Sequence, residues 1–286
     1  MRSCGSQAVR SRTECHGGRA DLGVSSLARP SVRFGWLRFA RFRARQLLAY
    51  WQTLLMSGFG YGIFYIASVG LGIGAFIHQD LEGQPYIQYV APGLLVGSCF
   101  TTAGGYGIWT VYSGFHGDGH YHLGFAGPLA PRDLYFGELA AVGCRIFAQA
   151  VLFWLGGWFL DAWPSLASIS VVLVAVIVGL SAFAPLAAYS AYAGPGDAKF
   201  AVIDRMFLLP MFLFGGVFLP IELMPKAAQW FAWLSPVWHG LDAWRLVESH
   251  QHGDAWAVVV HVTLLAALLC AGSACACRNF ARGLMR

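Results

Sequence analysis

The chain alternates long uncharged runs with short connections that carry its charges. Six runs stand out: Trp51 to Ile77, Tyr86 to Phe115, Leu139 to Leu160 with Arg145 inside it, Pro164 to Ala193, about Phe200 to Pro220 with Asp204 and Arg205 near its start, and Ala255 to Ala276. A helix crosses a bilayer with roughly 20 mostly apolar residues, so each run is long enough to span. A barrel would instead show short alternating segments separated by turns. The pattern predicts an all-α integral membrane protein with six transmembrane helices. Pro210, Gly215, Gly216 and Pro220 interrupt the fifth run, where a kink or re-entrant turn is expected. The connection after it, Ile221 to Asp254, is the longest between spans yet holds Trp230, Trp233, Trp238 and Trp244. It is expected to form re-entrant outer helices dipping into the interface between spans five and six.

Composition agrees. Of 286 residues, 57% are hydrophobic and only 12% charged, about half the charged share of a soluble globular protein. Disorder, a disulfide scaffold and an exposed nucleic-acid-binding fold are all excluded on these grounds. The seven cysteines are odd in number and fall mostly in or beside apolar runs, where they read as small buried hydrophobes.

The position of the charges sets an expected orientation. Seventeen of the nineteen basic residues lie before the first span, at the second-to-third and fourth-to-fifth connections, or at the C-terminus. By the positive-inside bias, both termini are expected in the cytoplasm. Residues 1–29 lack the apolar core of a secretory signal and are expected to be a disordered cytoplasmic extension, or the product of an over-long start. The basic aromatic stretch from Pro30 to Tyr50 is read as an amphipathic interfacial helix on the inner leaflet. Val32, Trp36, Phe39 and Leu47 share one face, and Arg33, Arg38, Arg41 and Arg45 share another. Arg43 falls on the apolar side and would have to snorkel. A topology signal without a mechanical role explains the same composition.

Four ordered motifs then carry a resemblance. They are Ala91-Pro92-Gly93-Leu94-Leu95 in the second span, Pro128-Leu129-Ala130-Pro131-Arg132-Asp133 after it, Phe214-Gly215-Gly216-Val217-Phe218-Leu219-Pro220-Ile221-Glu222 with Met224-Pro225 at the fifth, and Leu234-Ser235-Pro236-Val237-Trp238-His239-Gly240 beyond. Together they resemble the type-2 permeases of ABC transporters, most like the NodJ-type branch associated with lipo-oligosaccharide export, with drug exporters as relatives. The resemblance covers residues 30–286, which it marks as one transmembrane domain. It implies a permease subunit of the bacterial inner membrane that works as a homodimer with a separate cytoplasmic ATPase, which binds ATP and magnesium. The interfacial helix, with Trp36, Arg38, Arg41 and Arg45, then becomes a connecting helix. The loop 116–133 becomes the coupling element, with Asp118, Arg132 and Asp133 offering charge pairs to the ATPase. The absence of a G-x-x-x-x-G-K-[ST] phosphate loop from the sequence agrees with that division of labour.

Several residues admit two readings. His116, His120 and His122 with Asp118 have the composition of a metal cluster, but their flexible glycines favour a partner-facing loop, and no metal, catalytic residue or cofactor is expected in this chain. Arg145 inside the third span can pair with Glu138 seven residues earlier or snorkel to the headgroups, and Asp204 with Arg205 is expected as a second inner-interface pair. Glu222, His239 and Asp242 are outer-gate residues on one reading and a polar interface rim on the other. Thr101, Thr102, Gly104 and Gly105 serve helix packing or ligand contact. The alternative class is a rhomboid-like intramembrane serine protease using Ser181 and His261, which requires the two side chains within hydrogen-bond reach. It lacks the second glycine of the rhomboid G-x-S-G and leaves the ordered motifs unexplained.

Overall fold

The computed structural model describes residues 33–74, 84–194, 198–248 and 255–285. The expected extension 1–29, Val32 and most of the His78–Pro85 loop lie outside them. Every regular element among the described residues is helical. They are α1 (Gly35–Ala49), α2 (Trp51–Gly70), α3 (86–116), α4 (His120–Ala126), α5 (Pro131–Trp158), α6 (Ser170–Tyr192), α7 (198–213), α8 (Lys226–Leu234), α9 (Pro236–Glu248) and α10 (Ala255–Leu284). Among the described residues, four stretches are long and apolar enough to cross a membrane: Trp51–Gly70, Pro131–Trp158, Leu166–Tyr192 and Ala255–Leu284. The other two expected spans differ for physical reasons. The helix α3 has the length, but glycine, threonine and tyrosine dilute its apolar character, and it is buried along most of Tyr86–Gly105. The helix α7 ends at Leu213, where the Gly215-Gly216 turn stops it short. Gly216 adopts a φ of 73°, a conformation open mainly to glycine.

The helix α6 occupies the centre, packed against α3, α5, α9 and α10. Its small residues Ala175, Gly179, Ala182, Ala184, Ala187 and Ala188 let neighbouring backbones approach closely. Side-chain hydrogen bonds fasten the periphery to this centre. Asn279 Nδ2 donates to the Ala188 carbonyl at 2.8 Å, and Trp244 Nε1 donates to Ser170 Oγ at 2.9 Å. On α10 the outer surface carries exposed Trp256, Val259, Val262, Leu264 and Leu268, a face suited to lipid rather than water.

Parts of α3 and α7, and of α2 with its continuation to Ile73, are wound as π-helix, at Met56–Gly60, Ile66–Ile73, Tyr106–Thr110 and Asp204–Leu208. Such wide turns are uncommon and cluster at functional sites. The Met56–Gly60 and Asp204–Leu208 turns border one cavity, described below.

Candidate functional site

Three polar centres interrupt the apolar bundle, one at each level. The first joins α1, α4 and α5. Phe39, Ala40 and Arg43 are buried, while Arg38, Arg41 and Arg45 are exposed. Trp36, expected on the apolar face, is 40% exposed, because the helix turns Phe39 rather than Trp36 onto α5. The snorkelling expected of Arg43 does not occur. Its Nε donates to Glu138 Oε2 at 2.6 Å, its Nη2 to Glu138 Oε1 at 2.8 Å, and its Nη1 to Gln46 Oε1 at 2.6 Å. This fork matches both carboxylate oxygens, the strongest form of such a pair. Burial works against the Arg43 charge, but the Glu138 contact outweighs it and holds the guanidinium above its ordinary value. Gly137 makes the approach possible, since a Cβ there would lie 2.8 Å from the Trp36 carbonyl oxygen.

Around this pair sit His120, stacked on Phe39, and the buried Tyr121. Burial first, and Arg43 second, lower the pKa of His120; burial and the Glu138 charge push the Tyr121 phenol well above its usual range. His116 stacks on Tyr112 and His122 meets Phe115 edge-on, so the three imidazoles of the histidine-rich stretch take part in separate aromatic contacts. Gly119 begins α4 with a φ of 65°, the turn that glycine permits. Asp118 and Arg132 are exposed on this surface. Asp133 is engaged locally: its carboxylate accepts the Ala130 N–H at 3.2 Å and lies against Gly35.

The second centre lies inside the bundle. Glu138 is occupied by Arg43, so the expected Glu138–Arg145 pair does not form. Arg145, 7% exposed, instead donates from Nε to the Tyr106 hydroxyl at 3.1 Å and from Nη2 to Ser57 Oγ at 3.3 Å; its Nη1 is buried without a partner. One turn on, Gln149 Nε2 donates to Thr102 Oγ1 at 3.1 Å, leaving its carbonyl oxygen buried and unpartnered. Ser57, Ser98, Thr101, Thr102 and Gln149 open onto a cavity of about 410 Å³, together with Tyr61, Tyr65, Asp204 and Arg205. Asp204 and Arg205, expected at the inner interface, belong to this cavity's wall. Gly104 packs on Leu208, so the small face of α3 serves close packing, while Thr102 serves the polar cluster. Gln149 escaped sequence reasoning; its position four residues after Arg145 on one helix face was the available signal.

The third centre is at the far end. A second cavity, about 550 Å³, is lined by Gln84, Gln88, Glu222, Trp238, Asp242 and Arg245 among others. Glu222 and Asp242 therefore share a wall. The Arg245 guanidinium lies 4.1 Å from the centre of the Tyr89 ring. Behind Asp242, His261 Nε2 lies 3.0 Å from its Oδ2, His261 Nδ1 lies 2.7 Å from His239 Nδ1, and His239 Nε2 lies 2.9 Å from the Trp233 carbonyl oxygen. Both nitrogens of His261 are thus engaged, and Ser181 donates to the Val178 carbonyl of its own helix at 2.8 Å. The serine–histidine dyad required by the protease alternative is not assembled.

Residues 31–249 match the family described as ABC-2 type transporter. Among curated proteins, Nodulation protein J of Sinorhizobium fredii is 24% identical over 201 residues, covering 69% of this chain and 74% of that protein. Nodulation protein J of Bradyrhizobium diazoefficiens is 26% identical over 262 residues, covering 87% and 94%. No solved structure matches. With the family match spanning most of the chain and the apolar helical bundle around it, this chain belongs to the ABC-2 type transporter family, as a membrane permease without catalytic activity whose ATPase is a separate subunit.

Proposed function

We propose that this permease is the transmembrane subunit of an ATP-driven exporter of the bacterial inner membrane, moving an amphipathic or lipid-linked substrate such as a lipo-oligosaccharide, glycolipid or hydrophobic drug. It works as a homodimer with two cytoplasmic ATPase subunits, crosses the bilayer six times and keeps both termini in the cytoplasm. The fifth crossing combines the short α7 with the turn behind it, while α8 and α9 dip into the outer interface.

The observation that carries this reading is the cavity lined by Ser57, Thr101, Thr102 and Gln149. Hydroxyls and an amide set in an apolar bundle can receive the polar part of an amphipathic molecule while its hydrocarbon stays in lipid. Polar side chains at membrane depth are expensive to keep there, and they mark pathways. Motion reaches the cavity from the cytoplasmic joint: Asp118 and Arg132 meet the ATPase, Asp133 shapes the turn they sit on, and the Arg43–Glu138 pair passes displacement of α1 and α4 to α5. Arg38, Arg41 and Arg45 hold α1 against anionic headgroups.

Co-purification of the permease with its ATPase, followed by Asp118→Lys and Arg132→Glu, tests the coupling surface. Reduced assembly or reduced transport-coupled ATP hydrolysis is expected; wild-type behaviour of both variants overturns that assignment. For the cavity, Gln149→Leu is expected to leave assembly intact and lower substrate-stimulated hydrolysis about tenfold, the effect of losing one buried polar contact of ordinary strength.

A further inference from the structure

The histidine pair behind the outer cavity contains a proton inventory. Its chain of contacts runs from the Asp242 carboxylate to His261, from His261 to His239, and from His239 to the Trp233 carbonyl. Both ends are oxygen atoms that accept. Three hydrogen bonds therefore need three hydrogens, and two neutral imidazoles carry only two. The chain closes when His261 is an imidazolium, donating from Nε2 to Asp242 and from Nδ1 to His239, while His239 stays neutral with its hydrogen on Nε2.

We propose that Asp242, His261 and His239 form a one-proton latch that fastens α9, and the preceding α8 through Trp233, to the top of α10. The latch has a consequence for the cavity because Trp238 and Asp242 line it, and the Trp238 ring stands edge-on to His261 with centres 5.0 Å apart. Loss of the shared proton removes one bond and frees α9 from α10. A second proton also opens it, because two Nδ1–H groups cannot face each other. Burial first, and His261 second, lower the pKa of His239, outweighing the Trp233 carbonyl and Asp242. That second proton therefore arrives at a pH below the ordinary histidine value, and the contact is lost as pH falls through the lowered value. The latch is closed in a window between these two limits.

Other charged groups at this end are Arg245 over Tyr89, Glu222 across the cavity, Glu248 on α9 and Lys226 at the start of α8. Facing α9, α3 presents Tyr89 and α6 presents Ser170, with no carboxylate, histidine, lysine or arginine in Tyr86–Gly105 or Ser170–Tyr192; α7 has none in Leu209–Leu213, and α10 carries its arginines at the opposite end. Residues 249–254, outside the described set, contain His250, His252 and Asp254 and need a control. The export reading contributes only the side from which protons reach the latch, so the test below does not depend on transport.

Hydrogen exchange of the full-length protein in lipid nanodiscs, corrected for intrinsic rates, reads the latch through the amides of residues 236–248. Raising the pH from about 6 to about 9, across the histidine range, is expected to lower protection about tenfold, as loss of one hydrogen bond would. Asp242→Asn supplies the third hydrogen from its amide, so the chain closes without an excess proton. That variant is expected to keep its protection at the alkaline end, whereas His250→Gln with His252→Gln is expected to follow wild type. Protection that is flat with pH in wild type, or an Asp242→Asn variant that loses it as wild type does, overturns the proposal. Nitrogen-15 shifts of the wild-type histidines give the same answer without substitution: one imidazolium beside one neutral Nε2–H ring is expected in the closed window, and two neutral rings throughout contradict it.

Discussion

At the scale of single residues, the least legible features are pairings between distant positions. The chemistry of Arg43 was visible, but its partner stands 95 residues away and is brought near only by the approach of α1 to α5 at Gly137. With Glu138 taken, Arg145 is left with hydroxyl partners, and the same substitution of partners exposes Gln149 as part of the polar cluster. Removing one member of a buried pair strands the other at a cost of about 3–5 kcal/mol. Glu138→Leu is therefore expected to lower the thermal unfolding midpoint sharply in detergent. The double variant Arg43→Leu with Glu138→Leu, which strands no charge, is expected to recover most of the loss. A double variant no more stable than the single one would show that the pair does not act as a unit.

Elements were easier to read than their partners. Long apolar runs and the interrupting Gly215 and Gly216 located the helices and the early end of α7, because those features act locally. The outward Arg38, Arg41 and Arg45 of α1 followed from periodicity alone. The outward turn of Trp36 did not, since periodicity defines an apolar face without saying which part of it α5 covers. The joint between α1 and α5 has no spare room, and α10 meets α6 as tightly: a Cβ at Gly272 would lie 2.7 Å from the Pro185 backbone nitrogen. Gly137→Leu must displace α1, with an overpacking cost of about 1–3 kcal/mol. It is expected to leave the ATPase bound while uncoupling hydrolysis from transport. If ATP hydrolysis and transport both stay at wild-type rates, α1 is a lipid anchor and not a transmitting element.

At the scale of the molecule, polar centres at three levels of an apolar bundle fit the proposed export cycle, in which one end receives force, the middle cavity takes the substrate and the far end opens or closes. Family membership was legible because the motifs are ordered along the chain. Cavity walls were not, because each draws residues from several helices. The proposed six crossings place residue 230 outside and residue 282 inside. Single cysteines replacing Trp230 and Arg282, in a protein cleared of its native cysteines, are expected to react with a membrane-impermeant maleimide from opposite faces of intact cells and inverted vesicles. Reaction from the same face would overturn the topology. The central claim, ATP-driven movement of an amphipathic molecule through this permease, is tested most directly in proteoliposomes holding the permease and its ATPase with their cytoplasmic faces outward. A nitrobenzoxadiazole-labelled glycolipid in the outer leaflet is quenched by dithionite unless it is moved inward. The fraction protected is expected to rise with ATP, and to rise about tenfold more slowly in Gln149→Leu; a protected fraction that is the same with and without ATP would contradict the claim.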